Sequence, residues 1–251
     1  MLRAMSTLAD RPRAASAAFF DLDKTIISRS STLAFVPSFY RHGLISRSQA
    51  ARGAFAQLVF RAAGADHQQM ERVKEQVSRV CRGWSVERVT EIVTANLAAT
   101  IAPLVYAEAR GLLDAHSQAG RDVIIVSTAG QEMVGPIGAM LGASGIIATQ
   151  MRHAEGRYTG EVEFYAYGEG KAQRIRQLAG ERGYDLADCF AYSDSFTDLP
   201  MLEVVGHPHA VNPDRLLRRA ALSRGWPVLA FAGRKGQASQ AAGQTCEQQV
   251  Q

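Results

Sequence analysis

The stretch Ala15–Thr25, ASAAFFDLDKT, carries the decision about the fold. A short, mostly apolar run stops on Asp21, and a second carboxylate, Asp23, follows two positions on. Such a run bounded by polar residues reads as a buried strand, Ala15–Asp21, ending in a carboxylate-rich turn. Working outward, the strongest apolar run is Asp122–Val126 (DVIIV), stopped by Ser127-Thr128-Ala129-Gly130. Further short runs are Gly145–Thr149, Cys189–Ser193, Ala210–Val211 and Val228–Phe231. Helical spacing fills the gaps at Gln131–Leu141, Gly170–Arg182, Leu199–Val204 and Asp214–Arg224. Met151–Glu163, with Gly156 and Gly160 among polar and aromatic residues, reads as a small hairpin. Strands alternating with helices predict an α/β fold, a Rossmann-like doubly wound parallel sheet covered on both faces. Ligands sit at the carboxyl ends of such strands, which makes this region the catalytic candidate.

Residues 31–104 differ in character. They hold no strand-like apolar run, and Met70, Val73, Val77 and Val80 keep helical spacing. Helices are expected at Thr32–Arg41, Ser46–Ala63, His67–Arg82 and Ser85–Ala99, with breaks at Gly43, Gly64, Gly83 and Pro103. That describes a helical-bundle insert, or cap, at 31–104, set into a core made of 15–30 and 105–232. Residues 1–14 and the Gln-, Gly- and Ala-rich 233–251 read as flexible tails.

The chain has 251 residues, 47% of them hydrophobic and 21% charged, which excludes collagen-like, disordered and disulfide-scaffold classes. The net charge of +4 is mild, and 31–104, with nine basic residues against five acidic, accounts for it. Only Lys24, Lys74, Lys171 and Lys235 are Lys, so each is worth a question. No nucleic-acid partner is expected. Cys81, Cys189 and Cys246 lie far apart with no CxxC, as in a reduced, cytoplasmic chain. No apolar run is long enough for a transmembrane segment, and the N-terminal residues lack the apolar core of a secretory signal.

Four stretches carry chemistry. In Asp21-Leu22-Asp23-Lys24-Thr25 one carboxylate suits a nucleophile and the other a general acid/base, while turn N–H groups can face an anion. The plainer reading is a solvated turn. Ser127-Thr128-Ala129-Gly130 closes a strand and opens a helix, where hydroxyls and N–H groups suit phosphate; they would equally serve as N-caps. Lys171 opens the helix Gly170–Arg182, where the dipole disfavours a cation, so an anion nearby would explain it. Asp194 and Asp198, in Ser193-Asp194-Ser195-Phe196-Thr197-Asp198, follow a strand end and suit a hard cation such as Mg²⁺, although Asp198 could merely cap the next helix. His207-Pro208-His209 reads as a loop rather than a metal site. Trp84 and Trp226 read as packing residues.

In order and placement these stretches resemble the haloacid dehalogenase (HAD) superfamily, in its subfamily related to phosphoserine phosphatase. FFDLDKT, VSTAG, GEGKAQRI and YSDSFTDLPML resemble its four motifs, over about residues 16–231. The resemblance implies a Mg²⁺-dependent phosphatase acting on a small phosphorylated metabolite. Asp21 would attack phosphorus to form an aspartyl-phosphate. Asp23 would protonate the leaving alcohol and then deprotonate the hydrolytic water. Mg²⁺ would be held by the Asp21 carboxylate, the Asp23 carbonyl and the Asp194 carboxylate, and Asp198 would orient a bound water, with Thr25 in a supporting place. Ser127, the Thr128 backbone and Lys171 would take phosphoryl oxygens. Asp23 argues against the dehalogenase branch. A P-type ATPase, a receiver domain and a non-catalytic phospho-ligand module are the alternatives. Other substrates in view are a phosphorylated amino alcohol, histidinol phosphate and a lipid-derived phosphate.

The resemblance also implies a Glu about nine residues after the nucleophile, recognising an amino acid. Here that position is Ser30, and no acid occurs between Thr25 and His42. Arg29 lies close enough to line the entrance, and if it faces inward it would favour an anionic leaving group over a zwitterion. L-phosphoserine is therefore expected to be a poorer substrate than at least one other small phosphomonoester.

Overall fold

The structure, a computed structural model, describes residues 15–46, 75 and 78–232. The expected tails, the expected helix Ser46–Ala63 except its first residue, and most of His67–Arg82 lie outside the described residues.

Seven strands form one sheet: β1 Ala17–Asp21, β2 Asp122–Gly130, β3 Gly145–Ala154, β4 Arg157–Phe164, β5 Phe190–Ser193, β6 His207–Val211 and β7 Val228–Leu229. Their order is β4-β3-β2-β1-β5-β6-β7. Every neighbouring pair is parallel except the antiparallel hairpin of β3 and β4. The chain builds outward from β1 on one side and then crosses to β5 and builds on the other. The switch point therefore lies between β1 and β5, the place where open α/β sheets bind ligands.

The described helices are α1 Ser31–Arg41, α2 Val86–Thr100, α3 Ala107–Gln118, α4 Gln131–Leu141, α5 Glu169–Arg182, α6 Leu199–Glu203 and α7 Arg215–Arg224. Their ends follow local chemistry. Ser85 caps α2 by accepting from the Arg88 N–H, and Asp214 caps α7 by accepting from the Leu217 N–H. Helix α5 stops at Gly183, whose φ of 76° is cheap only for glycine. In the β3–β4 hairpin, Glu155 and Gly156 both take positive φ, 50° and 71°, as a two-residue turn between twisted strands requires.

Alternation along β1 sends adjacent phenylalanines to opposite layers. Phe20 packs with Ile125, Val134, Leu112 and Tyr192 on one face. Phe19 packs with Ile124, Val126, Ile175 and Met201 on the other. Both rings are buried, each worth about 1.5–3 kcal/mol of transfer free energy. From the 31–104 segment, α1 and α2 join the first of these layers through Phe35, Phe39, Val89, Ile92 and Val93.

Three elements differ from the sequence expectation. Helix α3 was not anticipated, because its buried stripe is only Ala109, Leu112, Leu113 and His116, with Gly111 inside it. Strand β2 runs on through Ser127–Gly130, with a register break there. Strand β6 starts at His207 rather than Ala210, so His207 and His209 are strand residues and not a loop. Pro208 hid this, since it gives no N–H to a ladder. Phe190 stacks with His207 at 4.4 Å between ring centroids, and Tyr192 stacks with His209 at 4.7 Å.

Candidate active site

Asp21 is the last residue of β1 and Asp194 directly follows β5, so the two carboxylates stand on either side of the switch point. The turn after Asp21 is tight: the N–H groups of Ile26 and Ile27 both donate to the Leu22 carbonyl at 3.0 Å. Lys24 takes φ 66°, a left-handed conformation uncommon outside glycine and costly for a long side chain. Its ammonium reaches within 3.7 Å of Asp194.

Lys171, in the first turn of α5, is 2% exposed and donates to Asp21 Oδ1 and to Asp198, each at 2.8 Å. The anion that would explain this lysine is the Asp21 carboxylate, with Asp198 as a second, and Lys171 is not a solvated surface lysine. Burial works against the ammonium, but Asp198 and Asp21 outweigh it and hold Lys171 protonated. Asp198 precedes α6 yet makes no side-chain cap, so the capping alternative fails. Its carboxylate accepts from Lys171 and from the Ser193 hydroxyl at 2.7 Å. Ser193 is a site residue that the sequence did not single out, because a serine at a strand end reads as a turn.

The carboxylates are electrostatically frustrated. Burial raises Asp21 well above the usual carboxylate range; Lys171 pulls it down, and Asp198 and Asp194 push it up. Burial likewise raises Asp194 to about 7, against Lys24 and with Asp198. Asp23, half-buried, is also raised by burial, although its Oδ1 accepts the Ser31 N–H at 2.9 Å. That bond ties it to the first residue of α1. The Thr25 hydroxyl, also buried in this region, has no hydrogen-bond partner among the described residues.

The hydroxyl turn joins the same sheet end. Ser127 is buried, and its Oγ accepts the Ala129 N–H at 3.2 Å. Thr128 points its hydroxyl away, to the Ala166 carbonyl at 3.0 Å, while its own carbonyl accepts from Thr149 at 2.7 Å. Of Thr128's own groups, this leaves the main-chain N–H as the candidate donor to an anion. The cap position of α4 is Gly130, with no side-chain cap, so neither Ser127 nor Thr128 serves as its N-cap.

The donor set suits Mg²⁺. Asp21 and Asp194 are hard oxygen donors, buried and mutually repelling, in a region whose described ammonium groups are already engaged. Among the described residues no group of three or more His, Cys, Asp or Glu side chains forms a metal cage. Two carboxylates, a main-chain oxygen and waters are the sparser set that Mg²⁺ accepts.

Arg29 is exposed, so it is not a buried cation turned inward to favour an anionic leaving group. Trp84 packs on Phe39 at 5.9 Å and Trp226 lies beneath the Arg224 guanidinium at 5.3 Å, both as packing residues. No described helix is long and apolar enough to cross a membrane.

A mostly parallel sheet with paired carboxylates, a hydroxyl turn and a buried lysine at its switch point defines a Rossmann-like hydrolase core. The chain belongs to the haloacid dehalogenase-like hydrolases, whose family model matches residues 18–203. It is 59% identical over 217 residues to the inhibition of morphological differentiation protein of Streptomyces azureus, covering 86% of this chain and 78% of that one. It is 55% identical over 221 residues to a probable phosphatase of Mycobacterium tuberculosis, covering 88% and 77%. At 31% and 32% identity it matches a phosphoserine phosphatase of M. tuberculosis (86% and 71% covered) and a histidinol-phosphatase of Neisseria meningitidis (85% and 98%). A solved phospho-aspartyl intermediate analogue of phosphoserine phosphatase shares the fold, at TM-score 0.61 and 18% identity over 87% of this chain and 94% of that one.

Proposed function

We propose that this protein is a Mg²⁺-dependent phosphatase that hydrolyses a small phosphomonoester through an aspartyl-phosphate. The observation that carries the reading is the buried Lys171 ammonium 2.8 Å from Asp21, at the carboxyl end of β1. It opposes the effect of burial on that carboxylate, favouring the ionised form a nucleophile needs, and places a positive charge where phosphoryl oxygens would lie. Asp21 attacks phosphorus, and the bond from phosphorus to the alcohol oxygen breaks as Asp23 gives that oxygen its proton. Asp23 then takes a proton from the water that attacks the aspartyl-phosphate, releasing inorganic phosphate and restoring Asp21. With Oδ1 held by the Ser31 N–H, the proton belongs on Asp23 Oδ2. Ser127, the Thr128 N–H and Lys171 receive the phosphoryl oxygens.

Asp21, Asp194 and the Asp23 carbonyl would hold Mg²⁺, which would neutralise the repulsion between Asp21 and a phosphate dianion. Asp198 and Thr25 support the site, Asp198 by fixing Lys171. Residues 31–104 act as a cap over a core of 15–30 and 105–232. The free thiols of Cys81 and Cys189 fit a reducing, cytoplasmic setting.

The test is p-nitrophenyl phosphate turnover with and without Mg²⁺, in wild type and Asp21→Asn. Mg²⁺-dependent turnover lost in the variant is the expected result. Undiminished turnover by Asp21→Asn would remove the nucleophile from this scheme.

A further inference from the structure

Glu132 has no part in this scheme, yet it is buried to 9% exposure immediately beyond the hydroxyl turn. It lies in the first turn of α4, where the helix dipole favours a carboxylate. The dipole accounts for its charge but not for its burial, since a first-turn acid ordinarily projects into water. The side chain folds back over the turn instead: Glu132 Oε2 lies 3.5 Å from the point where a Cβ on Gly130 would sit. Its partners are neutral. Gln131 Nε2 donates to Oε1 at 3.1 Å, and the Tyr158 hydroxyl donates to the carboxylate. Among the described residues no Lys or Arg forms an ion pair with it.

The surroundings place this carboxylate where the hydroxyl turn meets residues 81–84. Tyr158 lies on β4, whose main chain bonds to Gly83 and Trp84, and Cys81 is close enough for Glu132 to raise its thiol further, beyond the effect of burial. Glu132 thus stands between the phosphate-binding turn and the polypeptide leading into α2. A carboxylate there repels the phosphoryl group and is useful only to something cationic attached to it. A carboxylate offers about four acceptor positions, and two neutral donors leave room for a third hydrogen bond.

We propose that Glu132 is a specificity-determining residue that receives an ammonium group carried by the leaving alcohol, so that the substrates are small phosphomonoesters of amino alcohols. This rests on the phosphatase reading and supplies the acceptor that Ser30 does not. It also reverses the expectation built on Arg29, which is exposed. An ammonium two carbons from the ester oxygen offsets the buried charge, and an analogue lacking it leaves Glu132 unpaired.

The experiment compares 2-aminoethyl phosphate, 2-hydroxyethyl phosphate and p-nitrophenyl phosphate in wild type, Glu132→Gln, Glu132→Asp and Tyr158→Phe. Wild type should favour the aminoethyl ester over the hydroxyethyl ester by at least about tenfold in kcat/KM, the equivalent of about 1.4 kcal/mol. Glu132→Gln should lose that preference through KM while p-nitrophenyl phosphate turnover stays near wild type. Glu132→Asp and Tyr158→Phe, which keep the charge, should retain part of it. A wild type without the preference overturns the proposal, even if Glu132→Gln fails to fold. So does a Glu132→Gln variant that loses all three esters equally or keeps the preference. Absence of p-nitrophenyl phosphate turnover in wild type would instead overturn the phosphatase reading beneath it.

Discussion

Helix α5 carries a basic residue at each end, and each meets a carboxylate at opposite ends of neighbouring strands. Lys171 in the first turn meets Asp21 at the carboxyl end of β1, and Arg182 in the last turn meets Asp122 at the amino end of β2, both at 2.8 Å. The two pairs behave in opposite ways. At the Arg182 end, burial of Asp122 is outweighed by hydrogen bonds from Tyr184 and Arg182, and its carboxyl falls below the usual value. The helix dipole also favours Arg182 there. At the Lys171 end the dipole opposes the cation, burial is nearly complete, and Asp21 stays well above its usual range. One pair relaxes its charges and the other holds them under tension. Strain of the second kind is a cost that folding alone gives no reason to keep.

The comparison can be broken most directly at Lys171. Lys171→Met should leave two buried carboxylates without their ammonium. Turnover is expected to fall by about 10²–10³, and metal-free stability at pH 7 by about 3–5 kcal/mol. Steady-state kinetics and urea unfolding in chelator check this. A variant that melts and works like wild type would make the two pairs equivalent.

His116 sharpens the contrast as a buried base without a carboxylate. Arg121 can only donate to its Nδ1, at 3.5 Å, so its proton sits on Nε2 and is given to the Tyr192 hydroxyl at 2.8 Å. Burial, then Arg121 and His209, lower it from 6.5 to about 3. The folded state therefore binds fewer protons than the unfolded one. Its contribution is complete above about pH 6.5 and is lost progressively as pH falls towards 3. Between pH 7 and pH 5 this group should remove about 2 kcal/mol of stability. Unfolding curves of wild type and His116→Gln at the two pH values test it: the variant should lack that decrement.

Arg182→Met should cost only about 1 kcal/mol, because Asp122 keeps its Tyr184 hydrogen bond and part of its hydration. Turnover should not change, and a loss of activity would tie the far end of α5 to the site. The smallest expected effect is at Asp122 itself. Its folded carboxyl lies below the ordinary 3.8, so its contribution is present above pH 4 and disappears as pH falls through the lower folded value. Asp122→Asn should remove that acid-side slope in melting temperature and leave the neutral region nearly flat.

Much of the architecture was legible because strong local signals agreed. FFD and DVIIV are apolar runs that end on the turns of the candidate site, and Gln131–Leu141 matches α4 residue for residue. Elements were missed where burial rests on residues of weak propensity: α3 with its Gly111 and His116, and the His207-Pro208-His209 start of β6. The candidate site was legible as a set of residue types, Asp21, Asp23, Ser127, Thr128, Lys171, Asp194 and Asp198. Their partnerships were not. The resemblance implied the Thr128 backbone rather than its hydroxyl as a phosphate ligand, and where that hydroxyl goes, to the Ala166 carbonyl, shows only in the fold. Glu132 was not singled out in the sequence at all, since its burial shows only in the fold.

The sequence by itself determined the alternation of strands and helices and the chemistry available at each strand end, since both follow from side-chain type and spacing within a few residues. Only the tertiary structure decided which charges share a low-dielectric volume. Lys171 and Asp21 are 150 residues apart in the chain and 2.8 Å apart in space. Their coupling exists because parallel pairing sets β1 between β2 and β5, and that crossover places the start of α5 over the switch point. Coulomb energy depends on distance and burial, and neither is a property of local sequence.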